Sequence, residues 1–222
     1  MRGTGRPLYL LALLACLMTP VAWAQSGFAS AAVPLELIVK FSRDSEAGHR
    51  IDDIINGNPG DLSGLSDLQS QLLHSTGFML VPERVTSGQE LIFRVPEEPL
   101  LEEVKKALTA QQGIASAELV AIQNQNPRLP ESKLLVRFPP SADESALLDK
   151  ALADPAYHAQ IQALTQRVCS PSDVPVLGSV DTADVLTITV DRYALLEKLV
   201  GQLNALADVD YAQPNSTVQF MK

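Results

Sequence analysis

The chain repeats itself. Leu37-Ile38-Val39-Lys40-Phe41 returns as Leu134-Leu135-Val136-Arg137-Phe138, with Leu134 lying 97 positions after Leu37. Val95 followed by Leu100-Leu101-Glu102-Glu103-Val104 returns as Val190 followed by Leu195-Leu196-Glu197-Lys198-Leu199 at an offset of 95, and the same offset carries Ile114-Ala115-Ser116-Ala117-Glu118 onto Val209-Asp210-Tyr211-Ala212-Gln213. Three segments matching in one order, with one small deletion between them, mark an internal duplication, and a duplication dictates architecture before any single residue does.

Periodicity gives each copy the order βαββαβ. In the first, Leu35, Leu37, Val39 and Phe41 alternate with Glu36, Ile38 and Lys40 as in a strand with one face on a core. Leu62, Leu65, Leu68 and Leu72 then recur at helical spacing after Gly57, Pro59 and Gly60, and Gly77 closes that helix. Residues 78–84 and 91–95 flank Thr86-Ser87-Gly88 as a hairpin. Leu100, Leu101, Val104, Ala107 and Leu108 form a second helical stripe ending near Gly113, and residues 117–122 form a closing strand.

The second copy follows suit. Leu134, Val136 and Phe138 face inward on its opening strand, Leu147, Leu148, Ala151 and Leu152 start a helix that Pro155 should interrupt, and Ile161, Leu164 and Val168 resume the period. Residues 176–180 and Leu186, Ile188 and Val190 form the middle strands, with Thr187 and Thr189 expected on the solvent side. Leu195, Leu196, Leu199, Val200, Leu203 and Leu206 form the last helix, and residues 209–212 the last strand. The expected fold class is α+β: two tandem ferredoxin-like βαββαβ units, each an antiparallel sheet with its helices on one face.

Residues 1–24 read as a secretory signal, with Arg2 and Arg6 before an apolar stretch and Ala22-Trp23-Ala24 before the cut at Gln25. The expected location is therefore periplasmic or extracellular. Leu13-Leu14-Ala15-Cys16 loosely resembles a lipobox, which would instead put a lipidated cysteine at the mature N-terminus and the protein at a membrane surface. Small residues at 25–34 read as a tether. The first unit is placed at 35–124, a polar, proline-bearing linker at 125–132, the second unit at 133–215 and an extended tail at 216–222. Each unit is long enough for its own core.

With 26 acidic against 17 basic residues, the net charge of −9 is solubilising, and no basic stripe is available to displace counterions from a nucleic acid. After cleavage only Cys169 remains, so no internal disulfide is expected, and it reads as a buried small hydrophobe. Catalytic chemistry has little to draw on. His49, His74 and His158 are not at zinc-helix spacing, His49 with Asp52 and Asp53 reads as solvated surface, and Ser170 reads as a turn residue. No phosphate loop or nucleophile elbow is present, so the expectation is a protein without enzymatic activity, cofactor or metal.

Several strings nevertheless carry a resemblance. Ile38-Val39-Lys40-Phe41, the Ser75-Thr76-Gly77 hairpin entry, an amphipathic helix and the ending Val209-Asp210-Tyr211-Ala212-Gln213-Pro214-Asn215 together resemble the prodomains of subtilisin-type serine proteases. The first copy has Ile114-Ala115-Ser116-Ala117-Glu118 where the aromatic and the Pro-Asn would fall. No protease motifs follow, so the resemblance implies an inhibitor or folding assistant acting in trans on a subtilisin-like serine protease. It would dock its sheet on the enzyme and send the tail into the substrate cleft as an extended strand. The contact residues so implied are Tyr211, Asn215, Val218, Gln219, Phe220, Met221 and Lys222, with Lys222 at the position before the scissile bond. A non-enzymatic periplasmic scaffold or interaction module of the same fold is the competing reading, and a decayed protease remnant a third.

Overall fold

The structure, a computed structural model, describes residues 35–57, 60–122 and 131–215. The proposed signal, the tether, most of the linker and the tail lie outside them. The elements are β1 (Glu36–Phe41), α1 (Glu46–Asn56), α2 (Ser66–Thr76), β2 (Val81–Val85), β3 (Glu90–Arg94), α3 (Glu97–Thr109) and β4 (Ser116–Ile122), then β5 (Glu131–Arg137), α4 (Asp143–Ala153), α5 (His158–Cys169), β6 (Val176–Thr182), β7 (Val185–Val190), α6 (Arg192–Asn204) and β8 (Val209–Pro214). The class is α+β, with two four-stranded antiparallel sheets and six α-helices among the described residues.

Each repeat has one more helix than the simplest pattern, because its first crossover is split in two. In the second repeat Pro155 does this as expected: α4 stops at Ala153, Asp154 caps a short turn through its side chain, and α5 resumes at His158. In the first repeat α1 was not foreseen. Its signal is the Ser45 N-cap, whose Oγ accepts from the Gly48 N–H at 3.0 Å, followed by Ala47, Gly48 and Ile51 buried at helical spacing. Gly48 is required there, because a Cβ would lie 2.1 Å from the Ser42 carbonyl oxygen. Glu131 and Ser132, read as the end of the linker, belong to β5.

The strand orders are β2-β3-β1-β8 in sheet A and β4-β5-β7-β6 in sheet B. The closing strand of each repeat thus pairs with the opening strand of the other: Val39 of β1 faces Ala212 of β8, and Val136 of β5 faces Ala117 of β4. The preceding helices travel with them. α3 packs on β4, β5, β7 and α5, while α6 packs on β8, β1 and α2. Neither sheet is built from one repeat alone.

The crossings are short. Val95-Pro96 joins β3 to α3 and Asp191 joins β7 to α6, with Pro96 and Asp191 each in the extended conformation usual at a helix N-cap. Leu37, Val39 and Phe41, Leu91 and Phe93, Leu134, Val136 and Phe138, and Leu186 and Ile188 point to the helices and join Leu101, Val104, Leu108, Leu196, Leu199 and Leu203 in one apolar cluster. The cluster draws on both repeats.

Candidate functional site

Tyr211 and Asn215 are fixed on the face of sheet A that turns away from the helices, and at its corner. Strand alternation sends Glu36, Ile38 and Lys40 of β1 to that face. Across the sheet Lys40 lies between Tyr211 of β8 and Glu90 of β3. The Tyr211 hydroxyl reaches past it to donate to Glu90 Oε1, while the Thr86 hydroxyl donates to Oε2 at 2.9 Å. These two donors, joined by the charge of Lys40, hold the Glu90 carboxyl below its usual range. The same hydrogen bond raises Tyr211, whose phenolate would lose it and face the carboxylate.

One strand register further, Ile38 lies between Gln213 and Ile92, and Ile92 is only 3% exposed although it is outside the main apolar cluster. Beyond it, Glu36 pairs with Arg94, which bonds Glu83 at 2.7 Å. Asn215 closes this end twice: its main-chain N–H donates to the Glu36 carbonyl at 2.9 Å and its Nδ2 to Glu36 Oε2 at 2.6 Å. Residues 35 and 215, from which the two terminal segments leave, therefore share one corner of sheet A. Val218, Gln219, Phe220, Met221 and Lys222 lie outside the described residues.

No family model, curated protein or solved structure matches the chain. The site thus rests on its own geometry. The other candidates fall apart as constellations: among the described residues no three His, Cys, Asp or Glu side chains are grouped to hold a metal. Asp52 instead accepts from Gln89 Nε2 at 2.5 Å. Burial pushes the Cys169 thiol up to about 12, so it stays protonated at physiological pH. Thr187, expected on the solvent side, is 3% exposed, with Leu135 of β5 on one side of it and Ser179 of β6 on the other. Among the described residues no helix is long and apolar enough to cross a membrane.

Periodicity could not reveal the ion pair at the crossing. Arg192 Nε lies 2.6 Å from Glu97 Oε1, with the side chains 15% and 9% exposed, and Glu97 Oε2 accepts from the Ser132 N–H at 3.3 Å. The two residues are 95 positions apart and each opens the last helix of its repeat. They are the same position of the duplicated unit, carrying opposite charge.

Proposed function

We propose that this protein is an exported, non-enzymatic inhibitor or folding assistant of a subtilisin-like serine protease, built from two ferredoxin-like βαββαβ units whose closing αβ segments are exchanged. The observation that carries the reading is the anchoring of β8. Tyr211 to Glu90 and Asn215 to Glu36 fix the start of the tail at a corner of sheet A. A segment that must enter a cleft as an extended strand gains affinity when its root is already ordered, because less chain entropy is lost on binding. The same sheet offers Ile38, Lys40, Glu36 and Arg94 on the face away from its helices, a polar rim around an apolar centre suited to a protein surface.

The test is inhibition in trans. The mature chain should inhibit a subtilisin-like protease, and deleting residues 216–222 should abolish inhibition while leaving thermal unfolding unchanged. Inhibition that survives the deletion rejects the cleft mechanism. No inhibition across a panel of such proteases, and no acceleration of their refolding, rejects the protease partner and leaves the scaffold reading.

A further inference from the structure

The four sheet edges are built differently. On β2, Pro82 and a register slip before Arg84 break the line. On β6 there is a slip between Ser179 and Thr182, and the Gln162 amide of α5 takes both main-chain groups of Gly178, donating from Nε2 to its carbonyl at 2.5 Å and accepting its N–H on Oε1 at 3.3 Å. On β8 the strand ends in Pro214, and Asn204 does the same to Ala212, donating to its carbonyl at 3.1 Å and accepting its N–H at 2.7 Å. Prolines, bulges and side chains laid on outward main-chain groups stop an edge from templating another strand.

β4 has none of these among the described residues. It runs in unbroken register with β5 from Ser116 opposite Arg137 to Ile122 opposite Glu131, without proline and with Glu118 as its one charge. The repeat shows what is missing. Thr109, at the end of α3, stands where Asn204 stands at the end of α6, and its hydroxyl turns back to the carbonyls of Lys105 and Lys106. Ala117, the counterpart of Ala212, receives no amide.

We propose that β4 pairs antiparallel with β4 of a second copy, joining two sheets B into one continuous sheet across a two-fold axis. Opposed residues in such a pair share a face, so only registers that set even positions against even ones keep Leu119 toward the helices. Centring on Leu119 pairs all of Ser116–Ile122 and sets Glu118 opposite Val120 of the second copy. Val120 is flanked in turn by Lys133 on β5, whose ammonium is 4.0 Å from Asp181 in the isolated chain. Two strand spacings, roughly 10 Å, then separate the Glu118 and Lys133 backbones, which two long side chains can bridge. Centring on Glu118 would oppose two carboxylates, and centring on Val120 leaves Ser116 and Ala117 unpaired. A β4 strand supplies the carboxylate that Lys133 meets, which selects a second copy over an arbitrary extended peptide.

Sedimentation of the mature chain over a concentration series tests this. The expected result is a dimer that Glu118→Lys weakens about tenfold by turning two cross-axis attractions into repulsions. Glu118→Lys combined with Lys133→Glu should restore it. Thr109→Asn, which installs on β4 the cap that Asn204 provides on β8, should shift the protein toward monomer. A monomer at every concentration, a dimer indifferent to both single substitutions, or a failure of the charge exchange to restore pairing overturns the proposal. A monomer that captures an extended peptide on β4 overturns it too. Protease inhibition through sheet A is independent of every one of these outcomes.

Discussion

At the scale of single residues, charge is placed with care. If each repeat paired with a copy of itself through the same crossing, Glu97 would meet Glu97 or Arg192 would meet Arg192. Opposite charges at one duplicated position favour the mixed pairing and disfavour both alternatives. Glu97→Ala should cost about 2 kcal/mol in urea unfolding, since it removes a largely buried carboxylate that accepts from both the Arg192 guanidinium and the Ser132 N–H. Tyr211 and Glu90 give a pH signature. The lowered Glu90 contributes stability above the ordinary carboxylate range, lost as pH falls through its folded value. The raised Tyr211 contributes below the ordinary phenol range, lost as pH rises through its folded value. Tyr211→Phe should therefore lower the melting temperature at neutral pH, and the difference from the parent should vanish in strong acid and in strong alkali. An NMR titration should show the Glu90 carboxyl moving back up toward its usual value.

At the scale of elements, the repeated strands, α3 and α6 were legible because each is a run of apolar residues at one period, and the break at Pro155 because proline ends a helix. α1 carries the same kind of signal, since Ala47, Ile51, Ile54 and Ile55 recur at helical spacing behind the Ser45 cap, but the breakers Gly57, Pro59 and Gly60 follow it so closely that the helical stripe is read only from Leu62 onward. Gly48→Ala tests how tightly that helix is seated. On an exposed helix the change would add stability, but here the new methyl meets the Ser42 carbonyl, so it should destabilise by about 1–3 kcal/mol in thermal or urea unfolding. The exchange of α3–β4 with α6–β8 could not be read at all. Both repeats offer the same pattern to both partners, so Val39 facing Ala117 and Val39 facing Ala212 satisfy periodicity equally. Of the candidate site, Tyr211 and Asn215 entered through the resemblance of the ending at residues 209–215, while their partners Glu90 and Glu36 follow from strand pairing alone.

At the scale of the whole molecule, exchange turns two repeats into one cooperative object. Residues 25–124 and 125–222 produced separately should not give folded monomers, because each half lacks the fourth strand of its sheet and exposes the apolar face of its last helix. Mixed, they should recover native circular dichroism and elute as one particle. A half-chain that is folded and monomeric on its own would show that the closing strand can return to its own sheet. A cut introduced between residues 123 and 130 should likewise leave the two pieces together until denaturant is added.

The shared corner of Glu36 and Asn215 has a mechanical side. β1 and β8 run antiparallel, with the chain entering and leaving at the same end, so a pull between the two termini loads the hydrogen bonds of this pair one at a time instead of all together. The pair opens like a zipper, starting at Asn215 and working inward past Tyr211. Pulled from the two sides of this corner, the protein should yield at low force, with β8 peeling from β1 first.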